Sequence, residues 1–155
     1  MPSNQITPPV QDRVGFLINN ASWVIRGHML KFIRSLGVDL TPEQWLVLNW
    51  LWSHSGVCQQ DLVEVTQKSK ANITRMIDSL MKRDYVIRVS DVNDRRKHLL
   101  EMTPTAIEMM GRIMPHVFLE YQKIIQDLSK DEIRLLKTVL GKIVAQVRIL
   151  DGSLQ

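Results

Sequence analysis

The chain has 155 residues, of which 45% are apolar, and this composition is typical of one globular domain with its own core. One cysteine excludes an intrachain disulfide, and no apolar run approaches the ~18 residues of a membrane span. The formal charge of +4 is unevenly distributed along the chain, because residues 68–97 contain nine basic and four acidic side chains. A cationic region on a near-neutral scaffold predicts a polyanionic partner.

The sequence of the N-terminal third predicts a flexible arm followed by two helices. Residues 1–10 contain three prolines and little apolar mass, and they lack the basic and apolar segments of a signal peptide, so we expect a cytoplasmic protein. Residues 11–36 form a long amphipathic pattern that Gly37 ends. Thr41-Pro42-Glu43-Gln44 then predicts a capping box at the start of a second helix. The apolar side of that helix is predicted to contain Trp45, Leu48, Leu51 and Trp52.

Two further helices follow in the order of a helix-turn-helix. A short helix is predicted from Gln59 to about Val65, with Leu62 and Val65 facing inward. After a break, Ser69 is a good N-cap for the next helix. The apolar stripe of this helix consists of Ile73, Met76, Ile77, Leu80 and Met81. Its opposite face is small and polar, and Arg75 and Asn72 on it are side chains that can read base edges in a major groove.

The hydrophobic period then changes from a helical one to two, which predicts a β-hairpin. Residues 86–89 and 98–102 are its strands, and the turn residues Asn93-Asp94 lie between them. Arg95, Arg96 and Lys97 lie together at the tip, where three neighbouring cations favour an anionic partner. A hairpin beside a helix-turn-helix is called a wing.

The sequence of the C-terminal third predicts two helices with broad apolar stripes. Thr103-Pro104 opens a helix that is expected to reach about Leu128, with Pro115 kinking or locally breaking it. Ser129 and Glu132 form a second capping box before the last helix. The apolar stripe of the last helix consists of Ile133, Leu136, Val139, Leu140, Ile143, Val144 and Val147.

From about Gln11 to Leu150 the chain resembles the MarR family of bacterial transcription regulators. The resemblance rests on several short segments in a fixed order. They are Leu40-Thr41-Pro42-Glu43-Gln44-Trp45, Asn72-Ile73-Thr74-Arg75, Leu80, Arg88, Asp94-Arg95-Arg96, Leu100 and Thr103. The family's glycine after the recognition helix is replaced here by Asp84, which tolerates the left-handed region better than most residues.

The resemblance implies a mainly α fold with a small β-hairpin wing. It also implies a homodimer that binds double-stranded DNA as a repressor on a pseudo-palindromic operator, with a small aromatic or anionic effector. Residues 11–36 and 104–150 would be dimerisation helices, 41–103 the DNA-binding lobe, 86–102 the wing, and 11–155 one regulator domain. Asp94 and Arg88 would support the wing. The predicted DNA-binding residues are Ser69, Lys70, Asn72, Thr74, Arg75, Arg95, Arg96 and Lys97.

The sequence leaves two alternative functions open. Cys58 lies near a predicted helix N-terminus, so a redox-responsive regulator is one alternative, although a half-buried structural thiol is favoured. A structural dimerising protein without DNA binding is another alternative, and it would not need three cations at a hairpin tip. The histidines lack metal-ligand spacing, and no phosphate loop or nucleophile motif suggests a cofactor or an enzyme. Trp45, Trp50 and Trp52 are either core residues or the lining of an effector pocket.

Overall fold

The computed structural model describes residues 9–66, 68–91 and 98–152. A short 3-10 turn at Val10–Asp12 precedes six helices and three strands in the described residues. They are α1 (Val14–Ser35), α2 (Pro42–Ser53), β1 (Val57–Cys58), α3 (Gln59–Thr66), α4 (Lys70–Lys82), β2 (Val86–Ser90), β3 (His98–Met102), α5 (Pro104–Ile124) and α6 (Lys130–Gly152). The predicted fold class, mainly α with a small β-hairpin wing, is confirmed. Most of the predicted arm, and the wing tip with Asp94, Arg95, Arg96 and Lys97, lie outside the described residues.

The chain divides into two compact units, one up to Phe118 and one from Leu119. The first unit contains a closely packed apolar core to which α1 contributes only its C-terminal turns. The largest fully buried side chains of this core are Met29, Ile33, Leu40, Val47, Leu48, Leu62, Ile73, Ile77, Leu80, Val86, Met110 and Ile113. Because this core includes one face each of α2, α3 and α4, it fixes the helix-turn-helix on the rest of the unit.

Side-chain caps set the starts of the helices as the sequence predicted. Thr41 and Gln44 form the reciprocal capping box of α2, and Pro42 occupies its first turn. Ser69 Oγ accepts a hydrogen bond from the Asn72 backbone N–H at 3.3 Å and caps α4. Ser129 and Glu132 cap α6 reciprocally. Asp84 follows α4 with a φ of 55°, so it does adopt the left-handed conformation expected of it.

The antiparallel sheet has the strand order β1-β3-β2. The hairpin pairs Val86 with Met102 and Ser90 with His98, which confirms both predicted strands. The sequence did not reveal β1, whose two residues pair with Leu99 and Leu100 of β3. A strand of two residues is too short to show a hydrophobic period, and it forms only because β3 presents unpaired backbone groups beside it.

Several details differ from prediction. Val65 is 41% exposed, not buried, because Leu62 alone covers the inner face of the short α3. Trp52 is also exposed, and Val47 takes the buried position on α2. The helix expected to reach Leu128 ends at Ile124, and it is not broken at Pro115. Pro115 and the residue four positions before it, Gly111, both lie on the exposed side of α5, where water can satisfy the carbonyl that proline leaves without a donor.

The second unit consists of the end of α5 and the whole of α6. No residue of α6 is buried, although the helix has 23 residues. Its exposed large apolar side chains are Leu135, Leu136, Val139, Val144, Val147, Ile149 and Leu150. An amphipathic helix of this length with its apolar face in water requires a covering surface.

Candidate nucleic-acid interface

The polar face of α4 forms an exposed surface above the core of the first unit. Ile73, Ile77 and Leu80 are completely buried beneath the helix, so its opposite side must face solvent. Ser69, Lys70, Asn72 and Arg75 are exposed there and lie within the first two turns. Small and polar residues at the start of the helix leave room for close approach of a DNA groove.

Arg75 is held along the helix surface by two hydrogen bonds. Its Nη2 donates to Asn72 Oδ1 at 3.0 Å, and its Nε donates to the Ala71 carbonyl at 3.4 Å. The guanidinium therefore lies beside the Asn72 amide, on the turn that would enter a groove.

Thr74 is one of the predicted DNA-contacting residues, but its hydroxyl forms hydrogen bonds within the protein. Thr74 Oγ1 donates to the Lys70 carbonyl at 2.9 Å and accepts from Gln59 Nε2 at 2.6 Å. Thr74 is half-buried as a result. Gln59 is the first residue of α3, so this contact ties the two helices of the helix-turn-helix together.

Gln44 is a second supporting residue, and it is buried at 6% exposure. In addition to its capping bond, its Nε2 donates to Ser79 Oγ at 2.8 Å and its Oε1 accepts from Arg83 Nη1 at 3.3 Å. The same side chain thus caps α2 and holds the last turn and the C-cap of α4. The sequence identified Gln44 as a capping residue, but local spacing carries no signal for contacts that span 35 and 39 positions.

Arg88 on β2 forms an ion pair with Asp78 of α4 at 2.9 Å. The pair connects the wing to α4, and both side chains remain partly exposed. Arg88 was predicted to support the wing, and the structure shows a partner for it that the sequence did not identify. Of the predicted DNA-binding set, the structure brings Ser69, Lys70, Asn72, Thr74 and Arg75 together on one helix.

The cationic character of this surface extends to Lys68 and Arg83. Lys68 Nζ lies 3.8 Å from a Glu43 carboxylate oxygen, and the Arg83 guanidinium lies 5.2 Å from the centre of the Tyr85 ring. Lys68 precedes the N-terminus of α4, where the helix dipole adds partial positive charge. A polyanion approaching α4 therefore meets positive charge at the helix start.

A separate cleft of about 410 Å³ lies in the first unit between the end of α2, β3 and the start of α5. Its apolar lining includes Leu51, Trp52, Leu100, Met102 and Ile107, and Glu101 and His54 add polar groups. Trp50 stacks on His54 with the ring centroids 3.9 Å apart and borders a neighbouring recess of about 270 Å³. Ligand sites commonly have volumes of roughly 300–1,000 Å³ and a mainly apolar lining.

Cys58 is a half-buried free thiol in β1, and its backbone N–H donates to Asp61 Oδ2 at 2.7 Å. Within the described ranges, no group of three or more histidine, cysteine, aspartate or glutamate side chains is arranged to hold a metal ion. No helix in the described part of the chain is long and apolar enough to span a bilayer.

Helices α3 and α4 with the β2–β3 hairpin define a winged helix-turn-helix protein. The MarR family model matches residues 40–98. The regulator MhqR of Bacillus subtilis is 28% identical over 130 residues, which are 82% of this chain and 86% of MhqR. These matches agree with the sequence resemblance to the MarR family of transcriptional regulators.

Solved structures of similar proteins share this fold. S. aureus MepR in complex with DNA matches with a TM-score of 0.75 and 18% identity, over 87% of this chain and 96% of that one. CouR from Rhodococcus jostii RHA1, bound to p-coumaroyl-CoA, matches with a TM-score of 0.77 and 20% identity, over 88% and 95% of the two chains.

Proposed function

We propose that this regulator is a homodimeric repressor that inserts α4 into the major groove of a pseudo-palindromic operator. The observation that carries the proposal is the exposed polar face of α4, where Arg75 and Asn72 lie side by side above a completely buried apolar stripe. MepR, a protein of the same fold, has been solved in complex with DNA, which supports the same use of this surface. Residues 41–103 would be the DNA-binding lobe, and 11–36 and 104–150 would form the dimer.

Ser69, Lys70, Asn72, Thr74 and Arg75 are the proposed contacts of the recognition helix. Thr74 would contribute through its position and its methyl group, since its hydroxyl is engaged by Gln59 and the Lys70 carbonyl. Arg95, Arg96 and Lys97 are the proposed contacts of the wing, with Arg96 in a minor groove and Asp94 as its support. The two groups of residues differ in what their contacts do: contacts to base edges select the DNA sequence, whereas contacts to phosphates only position the protein.

The test measures operator affinity against salt concentration for the wild type, Arg75→Ala, Arg96→Ala and Asp94→Ala. Arg75→Ala should cost about 1–3 kcal/mol and relax preference at one position in each half-site. Arg96→Ala should weaken binding to every sequence and reduce preference for flanking A·T pairs. Each lost phosphate contact should flatten the salt dependence by a slope of about 0.9. Asp94→Ala should resemble a milder Arg96→Ala.

Arg34→Ala is the matched control, because Arg34 is an exposed arginine on α1 that pairs with Asp39 at 3.4 Å, outside the proposed interface. It should bind the operator like the wild type. Wild-type affinity and salt slope in both Arg75→Ala and Arg96→Ala would contradict the proposed interface.

We further propose that a small aromatic or anionic effector releases the regulator from DNA. The cleft beside Trp52 has the size and the apolar lining for such a molecule, and CouR of the same fold holds p-coumaroyl-CoA. A ligand shifts binding only if its affinity differs between the free and DNA-bound conformations. The test adds phenolic acids to the operator complex and measures its dissociation. Ile107→Trp, which fills the cleft, should abolish the response of the complex to an active compound, and an unchanged response would place the effector elsewhere.

A further inference from the structure

Asn72 and Arg75 occupy consecutive turns of α4, and their hydrogen bond makes them one structural unit. Residues three positions apart lie on the same side of a helix, separated by about 4.5 Å along the axis. This separation is close to the ~3.4 Å spacing of neighbouring base pairs. The two side chains therefore face two adjacent base pairs when the start of α4 enters a major groove.

The hydrogen bonds within the protein determine what the unit can still offer to DNA. Arginine has five N–H donors, and two of them are directed to Asn72 Oδ1 and the Ala71 carbonyl. Donors remain on Nη1 and Nη2, in the fork that matches the O6 and N7 acceptors of guanine. The Nδ2 amide of Asn72 forms no hydrogen bond with any residue that the structure describes, so both of its donors remain as well. The combined unit consequently presents mainly donors, and its one remaining acceptor position is on Asn72 Oδ1, beside the guanidinium.

An asparagine that reads adenine must donate to N7 and accept from the N6 amino group. In this structure the accepting atom, Asn72 Oδ1, already lies 3.0 Å from a guanidinium nitrogen. A carbonyl oxygen has a second lone pair, but the adenine amino group would reach it only by approaching the same cation. Guanine and thymine present acceptors at this position instead, and both the amide and the cation favour them.

We propose that Asn72 and Arg75 select two adjacent acceptor edges in each half-site, with guanine opposite Arg75 and guanine or thymine opposite Asn72. Adenine, the usual partner of asparagine, is disfavoured at the second position as long as Arg75 is present. This inference rests on the proposed function, because it assumes that α4 enters the major groove.

The experiment selects binding sites from a library of random DNA duplexes with the full-length wild type, Arg75→Ala and Asn72→Ala. The wild type should enrich the two adjacent acceptor bases. Asn72→Ala should lose preference at the second position and thereby identify it. Arg75→Ala should lose guanine at the first position, by about tenfold, and at the same time gain adenine at the second, because Oδ1 is released. If Arg75 acted independently of Asn72, Arg75→Ala would change the base preference only at the first position.

Arg34→Ala is again the matched control and should enrich the wild-type site. The inference would be overturned if the wild type selected adenine at the second position. It would also be overturned if Arg75→Ala left the base preference at that position unchanged. In both cases the proposed function would stand. A wild-type protein that enriches no duplex would overturn both. Circular dichroism and sedimentation of each variant should match the wild type, since both side chains are exposed.

Discussion

Gln44 shows how one side chain can join elements that are distant in the sequence. It closes the capping box of α2 and also contacts Ser79 and Arg83 around α4, while remaining almost completely buried. Removing such a side chain leaves buried donors and acceptors without partners, and this is more costly than the loss of the bonds alone. The position of α4 therefore depends on a residue that does not belong to it.

Gln44→Ala should lower the free energy of unfolding by about 1–3 kcal/mol. Gln60→Ala is the matched control, because Gln60 is exposed and, among the described residues, its side chain bonds only to Glu64, one helical turn away, at 3.3 Å. That control should stay within about 0.5 kcal/mol of the wild type. Urea unfolding followed by circular dichroism measures both values. Equal stabilities of the two variants would mean that the Gln44 network contributes nothing.

Asp84 is the second residue with an unusual local role. Its φ of 55° is a conformation that glycine adopts freely and that residues with a Cβ avoid. Asp84 Oδ2 accepts a hydrogen bond from Thr105 Oγ1 at 3.0 Å, and its carbonyl accepts one from Thr103 Oγ1 at 2.6 Å. The first of these bonds depends on the aspartate side chain, whereas the second survives any substitution.

Asp84→Ala should therefore lower stability by about 1 kcal/mol, since it loses the bond to Thr105 and keeps the strained backbone. In Asp84→Gly the relief of strain should offset the lost bond, leaving stability within about 0.5 kcal/mol of the wild type. Thermal unfolding of the two variants side by side provides the comparison. If alanine and glycine behaved alike, the left-handed backbone would not be a source of strain here.

At the scale of single elements, the start of α6 is defined by its own cap, since no residue of the helix is buried in the structure. The Ser129 hydroxyl and the Ser129 backbone N–H both donate to Glu132, at 2.7 and 2.8 Å. These hydrogen bonds lower the pKa of Glu132 below its ordinary value of 4.5. The pKa of Glu132 is thus lower in the folded state than in the unfolded state. The charged cap therefore stabilises the fold fully above the unfolded pKa, and this contribution disappears as the pH falls through the folded pKa.

Glu132→Gln keeps the geometry of the capping box and removes its charge. The variant should be less stable than the wild type at neutral pH; the difference should shrink as the pH falls below 4.5 and vanish once the pH is below the folded pKa of Glu132. In a Ser129→Ala background the same substitution should have a much weaker dependence on pH, since the hydroxyl is the main cause of the shift. Thermal unfolding over a series of pH values tests this. A difference that persists unchanged in acid would contradict the role of the charge.

At the scale of the whole molecule, both units expose apolar side chains that a stable protein rarely leaves in water. In the first unit these include Phe16, Leu17, Trp23 and Val24 on α1, and Trp23 is 74% exposed. In the second unit Leu128, Leu135, Leu136 and Val139 line an apolar groove of about 340 Å³ on one side of α6. Interfaces of obligate dimers often bury on the order of 2,000 Å² or more of such surface.

The protein should therefore sediment as a dimer at micromolar concentration. Leu136→Glu, which places a charge within the apolar groove, should shift the population towards monomer and lower stability. Lys137→Glu is the matched control, because Lys137 is the next residue along α6, lies outside the groove lining and is already charged and exposed. Analytical ultracentrifugation of the three proteins is the measurement. A compact folded monomer in the wild type would overturn the dimer proposal.

The sequence by itself determined the elements whose causes are local. Caps at Thr41, Ser69 and Ser129, the helical period of the α4 stripe and the period of two in the wing all act within a few residues, and each was confirmed. Tertiary structure alone decided which partner each exposed or polar side chain meets. The short strand β1, the Gln59–Thr74 contact and the Arg88–Asp78 pair depend on segments that are distant in the chain. Local periodicity contains no information about such contacts, because they exist only once the core has brought the segments together.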